Sequence, residues 1–256
     1  MHRARKRFGQ HFLHDQAVID RLLRAIDPQP GQFIVEIGPG QGALTWPLLQ
    51  RCERLTAIEL DRDLVPKLRE KSTKFGELEV INADILEFNL ATINADEPLR
   101  IVGNLPYNIS TPLLFHLLDS MARIADMHFM VQKEVAERIV ARPGDSHYGR
   151  LSVMLQYRCE CSYLFDVAPE SFAPPPKVDS AVIRMLPHDE PITDVGDYAL
   201  FSTIVQTAFS QRRKTIANSL KSLLSREAIE AAGIDPKLRA ENLDIIDYAR
   251  LGRSQQ

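Results

Sequence analysis

The chain has 256 residues, 45% of them hydrophobic and 25% charged, a globular balance that suits one large domain with a smaller appendage. No apolar run approaches the ~20 residues that span a bilayer. The basic start MHRARKRFGQHFL leads into no hydrophobic segment, so it does not read as a secretory signal. A net charge of −3 argues against a broadly basic nucleic-acid binder, which leaves local patches as the route to phosphate.

Seven short β-rich runs alternate with helical patterns: Phe33–Ile37, Leu55–Glu59, Leu78–Asn82, Arg100–Gly103, Met127–Val131, Glu160–Phe165 and Val178–Met185. Between the fourth and fifth, Thr111-Pro112 reads as an N-cap with proline in the first helical position. Leu113, Leu114, Leu117, Leu118 and Met121 then recur at helical spacing. Such alternation predicts an α/β fold, a mostly parallel sheet with helices on both faces. After Leu186 the polar, acidic stretch PHDEPITDVGDY reads as a linker. Phe201, Ile204, Val205, Ala208 and Phe209 then form one helical stripe, and Ile216, Leu220, Leu223 and Leu224 another. The expected domains are 1–188, α/β, and 189–256, a small all-α domain.

Two segments are basic without acids: residues 1–14, with Arg3, Arg5, Lys6 and Arg7, and QRRKTIANSLK, with Arg212, Arg213, Lys214 and Lys221. By composition each is a solvated tail or helix face as readily as a phosphate site. Cys52, Cys159 and Cys161 have neither disulfide-frame nor zinc-pair spacing, so they read as free thiols in a reducing cytoplasm. The histidines show no metal-ligand spacing, and no metal is expected.

The strongest single signal is FIVEIGPGQGALT, in which a strand ends at Glu36-Ile37 and Gly38-Pro39-Gly40-Gln41-Gly42 follows. Glycines there let the backbone turn tightly and approach a ligand closely. The dinucleotide fingerprint is G-x-G-x-x-G; here the spacing is G-x-G-x-G, with an acid two residues before the first glycine. That suits a ligand without phosphate, such as S-adenosylmethionine (SAM). Glu59 closes the second strand, where a carboxylate can accept from both ribose hydroxyls. Asp84 closes the third, where one can accept from an adenine amino group. Each acid alone would pass for a solvated loop residue; three at consecutive strand ends point to SAM.

The fourth run breaks into Asn104-Leu105-Pro106-Tyr107. Asn-x-Pro makes a good turn in any protein, but beside a methyl donor it gains a chemical reason. The lone pair of adenine's exocyclic amine is delocalised into the ring. A side-chain amide oxygen and a backbone carbonyl can each accept one of its N–H bonds, aim the nitrogen and stabilise its developing charge. Proline fixes the turn, and Tyr107 offers a face on which a base can stack. A target base would have to leave its own stack to reach such a pocket.

With RFGQHFL, EIGPGQGALT, GNLPYNIST, VQKEVAERI, YGRLSV, FAPPPKVDSAV and FSQRRKTIANSL in order from Arg7 to about Asn242, the chain resembles the small-subunit (16S) ribosomal RNA adenine N6-dimethyltransferases. The resemblance implies a Rossmann-like SAM-dependent methyltransferase sheet with a C-terminal all-α domain for rRNA recognition. It implies that His11 and Leu13 close over the cofactor and that Gly38, with Gly40 in the same loop, approaches its methionine part. Glu59 would meet the ribose and Asp84 the adenine. Asn104 and the Leu105–Pro106 backbone would hold the target amine, with Phe172 facing Tyr107 across the flipped base. The implied substrate is a pair of adjacent adenosines in the 3′-terminal hairpin of the rRNA, both dimethylated during ribosome biogenesis within a pre-assembled small subunit, by a monomer.

On that footing Arg212, Arg213, Lys214 and Lys221 become expected rRNA contacts. From Asp189 onward nine Lys/Arg stand against ten Asp/Glu, so a shape-specific grip with a few phosphate contacts is expected rather than a broad clamp. Two other readings remain: the same chemistry on a protein amide or DNA adenine, and a non-catalytic RNA-binding assembly factor of the same fold. Phe172 and the QRRK segment favour RNA; the intact glycines, Glu59, Asp84 and Asn104–Tyr107 favour catalysis.

Overall fold

The computed structural model describes residues 10–254; the basic arm with Arg3, Arg5, Lys6 and Arg7 lies outside them. The chain divides into two units, one running to Ala136 and resuming over Ser162–Pro187, the other holding Glu137–Cys161 and everything from His188 on.

The first unit opens with strand β1 (Phe12–Leu13) and helix α1 (Gln16–Ile26). Asp15 caps that helix by accepting from the Ala17 and Val18 amides, and Val18, Ile19, Leu22, Leu23 and Ile26 form its buried stripe. Seven strands make the main sheet: β2 (Ile34–Ile37), β3 (Arg54–Glu59), β4 (Glu77–Asn82), β5 (Leu99–Asn104), β6 (Ile124–Gln132), β7 (Cys159–Val167) and β9 (Ser180–Pro187). Helices α2 (Thr45–Cys52), α3 (Val65–Ser72), α4 (Ser110–Leu118) and α5 (Lys133–Val140) fall in the connections. A two-residue β8 (Phe172–Ala173) pairs antiparallel with β1, Phe12 against Ala173 and Leu13 against Phe172.

The spatial order is β4-β3-β2-β5-β6-β9-β7. β3 and β5 flank β2 in parallel, β4 continues beyond β3 and β6 beyond β5, while β9 returns antiparallel on β6. Every residue of β2 is buried, as expected where helices cover both faces of a parallel sheet. The chain leaves β2 first to one side, for β3 and β4, and later to the other, for β5. The crevice outside the carboxyl ends at this reversal is where ligands bind in open α/β sheets. All seven sequence-predicted strands form, with ends shifted by a few residues.

The second unit contains α6 (Arg150–Arg158), α7 (Tyr198–Ser210), α8 (Ile216–Ser219), α9 (Arg226–Ala231) and α10 (Ile245–Arg253). Aromatic rings knit it together: Tyr157 lies 5.1 Å from Phe201, and Tyr148 meets Phe209 edge-on at 5.9 Å. These contacts explain why Glu137–Cys161 falls here rather than with the α/β unit, unlike the expected division at 188/189.

Two local expectations are corrected. α4 begins at Ser110 with Ile109 as N-cap, so Pro112 is the third helical residue, still within the turn that needs no N–H. QRRKTIANSLK is not one helix. Gln211–Lys214 form a turn, and α8 is a single turn whose Ile216 and Ala217 amides donate to the Leu238 and Pro236 carbonyls. The Lys214 amide closes the first of these turns on the Gln211 carbonyl, so the basic residues stand on turns and not on a helix face.

Candidate active site

One pocket, open to solvent, sits at the carboxyl ends of β2, β3, β4 and β5. Its lining includes His11, Leu13, Gly38, Gly40, Glu59, Asp84, Asn104, Leu105, Pro106 and Tyr107. The sequence-predicted cofactor and amine residues thus meet on one surface.

The glycine loop is shaped by left-handed backbone: φ is +68° at Gly38 and +57° at Gly40, where a side chain is strained. A Cβ at Gly40 would stand 3.1 Å from the Phe12 ring. The Gly38 amide donates to the Ile58 carbonyl at 2.9 Å, which ties the loop to the end of β3.

Glu59, the last residue of β3, is 5% exposed. Its Oε2 accepts from the Gly40 amide at 3.0 Å and its Oε1 from the Asp61 amide at 2.7 Å. Burial raises its pKa, and these two N–H donors oppose the rise. Asp84 follows β4 and accepts from the Leu86 amide at 2.9 Å, which holds its carboxylate at the strand end.

Asn104 ends β5. Its Nδ2 donates to the His11 carbonyl at 3.1 Å, while the next amide, Leu105, donates to the Met130 carbonyl at 3.0 Å. The Pro106 carbonyl closes the turn by accepting from Ile109. Tyr107 shares a 2.7 Å hydrogen bond with the Ser180 hydroxyl, and burial raises its phenol pKa. The His11 ring stacks on Tyr107 with centroids 5.4 Å apart, and its Nδ1–H donates to the Pro174 carbonyl at 2.8 Å. The β1–β8 pair therefore straps the N-terminal segment across the pocket.

Phe172 departs from expectation. It is 2% exposed and packs in the core with Leu13 and Val182, outside the pocket lining. Its pairing with Leu13 turns the ring inward, so it presents no face to Tyr107 here. Arg212, Arg213, Lys214 and Lys221 lie exposed in the second unit. Arg212 is committed within that unit: its Nε donates to Glu241 at 2.8 Å and its Nη2 to the Ser146 carbonyl at 2.5 Å.

Sequence reasoning used Glu36 only as one of three acids at consecutive strand ends, and gave no role to Ile58 and Leu60. Glu36 lines the pocket at 2% exposure and accepts the Thr45 hydroxyl at 2.6 Å. Its signal was its place two residues before the first glycine. Ile58 and Leu60, beside Glu59, supply apolar lining; their signal was adjacency to the acid.

A family model described as ribosomal RNA adenine dimethylase matches residues 1–255. The chain belongs to that family. Among relatives of the dimethylase family, the ribosomal RNA small subunit methyltransferase A of Nitrosococcus oceani is 55% identical over 253 residues, covering 98% of this chain and 96% of its own. The structure resembles that of a dimethyladenosine transferase from Plasmodium falciparum, with a TM-score of 0.80 and 25% identity over 94% of this chain and 96% of the other. It also resembles the 23S rRNA methyltransferase ErmE, with a TM-score of 0.73 and 30% identity over 96% and 100%. The fold is that of the SAM-dependent methyltransferases, with a helical C-terminal region.

Proposed function

We propose that the protein dimethylates the N6 amine of two adjacent adenosines in the 3′-terminal hairpin of small-subunit rRNA, using SAM. The observation that carries this reading is the juxtaposition of Asn104, Leu105 and Pro106 with Glu59 and Asp84 around one pocket. Identity of 55% to relatives named for the small subunit, against 30% to the 23S enzyme, supports the small-subunit substrate.

The residues present fit SAM. Positive-φ glycines leave space for a ligand at the strand end, Glu59 presents a carboxylate for a ribose diol, and Asp84 one for an adenine amine. When bound, SAM supplies an electrophilic methyl on a sulfonium. Asn104 donates through Nδ2 to His11, which turns its Oδ1 toward the pocket as an acceptor. With the Pro106 carbonyl engaged by Ile109, the Leu105 carbonyl is the second acceptor in this reading. Two acceptors on the amine's two N–H bonds aim the nitrogen lone pair and stabilise the positive charge that grows on it. No strong base is required, because the amine becomes acidic as the new C–N bond forms. Tyr107 offers a stacking face. In the second unit, Arg213, Lys214 and Lys221 meet rRNA phosphates.

The test is transfer of labelled methyl from SAM to small ribosomal subunits lacking this modification, followed by nucleoside analysis. Labelled N6,N6-dimethyladenosine is the expected product; tight subunit binding without label would overturn the catalytic reading.

A further inference from the structure

Tyr107 is held at both of its ends. Its carbonyl accepts from the Ser110 hydroxyl at 3.2 Å, which fixes the backbone at the start of α4. Its phenol shares the 2.7 Å hydrogen bond with Ser180, a fully buried side chain 73 positions away. Sheet topology brings the two together. Asn104 of β5 pairs with Met130 of β6, and Met130 with Val182 of β9. Because β9 runs antiparallel, its first residue, Ser180, stands at the edge where β5 ends, opposite Gln132. The Lys133 amide donates to the Asp179 carbonyl at 3.0 Å and fixes the approach to that strand. Phe172 packs in the core, which leaves Tyr107 as the ring that follows Asn104, Leu105 and Pro106 along the pocket wall. A hydrogen bond at the far end of such a ring locks the torsions that set its plane.

Dimethylation makes unequal demands on a stacking platform. The unmodified amine offers two N–H bonds, one for Asn104 and one for the Leu105 carbonyl. In the first transfer the nitrogen lone pair forms the N–CH3 bond and the S–CH3 bond breaks. That bond's electron pair stays on sulfur, and one amine proton passes to water. A single N–H remains, so one acceptor loses its partner. Aim in the second transfer then leans more heavily on the stacked base. Resting on the dimethylation reading above, we propose that Ser180 is a positioning residue that, by holding Tyr107, sustains the second methyl transfer to each adenosine. Ser180 lies outside the pocket lining and acts through the phenol.

The experiment follows methyl transfer by the full chain, in excess and with saturating SAM, to small subunits lacking the modification. N6-monomethyladenosine and N6,N6-dimethyladenosine are counted over time, which gives a rate constant for each transfer. Ser180→Ala should lower the second by ~10-fold and the first by ~3-fold or less, the scale for one neutral hydrogen bond that keeps a group in position. The monomethylated base should therefore accumulate, while calorimetric SAM affinity stays unchanged. A loss of folded protein would lower both rate constants equally and leave their ratio alone. Tyr107→Phe keeps the ring and removes the same hydrogen bond, so it should show the same altered ratio, and the double variant should add nothing to either. An unchanged ratio in Ser180→Ala, or in Tyr107→Phe should Ser180→Ala misfold, would overturn the inference while wild-type dimethylation stands. A change in Ser180→Ala that Tyr107→Phe does not share would overturn it too. A wild type that methylates no adenosine would overturn the dimethylation reading and this inference with it.

Discussion

The Asn104 amide nitrogen lies 3.1 Å from the His11 carbonyl oxygen, and this one bond decides which end of the amide faces the pocket. The donor is committed to the N-terminal strap, and in the proposed reading Oδ1 is the acceptor for an amine. Asn104→Ala should lower turnover by ~100-fold or more, the scale for losing one preorganised polar partner of a developing charge. SAM affinity should change far less. Asn104→Asp should be impaired too, because a carboxylate oxygen would oppose the His11 carbonyl. Single-turnover rates beside calorimetric SAM affinity check this; equal losses in both would make Asn104 a cofactor ligand alone.

Glu59 spans the gap between loop and strand, with Oε2 on the Gly40 amide and Oε1 on the Asp61 amide. The same carboxylate would have to serve a ribose diol. Glu59→Ala should weaken SAM binding by ~10- to 100-fold, the range for hydrogen bonds to a charged group. Glu59→Gln keeps one acceptor oxygen and should lose less. Unchanged calorimetric affinity in the alanine variant would take Glu59 out of the site.

Which of these relationships were legible in the sequence follows from their range. β2 and β5 carry short apolar stretches, Ile34-Val35 and Ile101-Val102, and Glu59, Asp84 and Asn104 stand at strand ends, so both strands and site could be read locally. The joining of Glu137–Cys161 to the helical unit could not, because a helical period shows that Tyr157 is buried but not that Phe201 buries it. α8 is a single turn whose first amides are satisfied by carbonyls of residues 236 and 238, some 20 positions away, a pairing no local pattern shows. The inward turn of Phe172 depends on its antiparallel partner Leu13, far off in sequence. The burial of Glu36 depends on its depth in the fold, which a motif does not record.

Phe172 offers a clear choice between core residue and base platform. At 2% exposure in the cluster with Leu13 and Val182, its truncation to alanine should cost ~3–5 kcal/mol of stability. Urea unfolding would show this as a lower midpoint. An exposed platform would instead leave the midpoint unchanged and weaken only RNA binding.

The basic turn should split in function. Arg213 and Lys214 are exposed, whereas Arg212 is held by Glu241 and Ser146. Arg213→Ala with Lys214→Ala should weaken small-subunit binding and reduce the slope of log K against log salt by ~1–2. Arg212→Ala should lower stability by up to ~1 kcal/mol, as for a surface ion pair. Binding measured across a salt series, beside thermal melts, separates the two; an unchanged slope in the double variant would return the pair to a solvated surface.

Acid should destabilise the α/β unit through His128. This residue of β6 is 1% exposed, with Asp126 Oδ1 3.7 Å from its Nδ1, and Asp126 in turn pairs with Arg100 at 2.8 Å. Burial drives the imidazole down to about 4, outweighing the attraction of Asp126, and Arg100 and Arg184 add to the depression. The folded state then binds fewer protons than the unfolded chain between roughly pH 4 and the ordinary histidine value of ~6.5. Stability from this group is complete above that window and falls on acidification through it, by at most ~1.4 kcal/mol per pH unit. Urea midpoints of the wild type and His128→Gln at pH 7 and pH 5 give the check. The wild type should lose more on acidification than the variant, and equal losses would show that His128 is not the group that titrates.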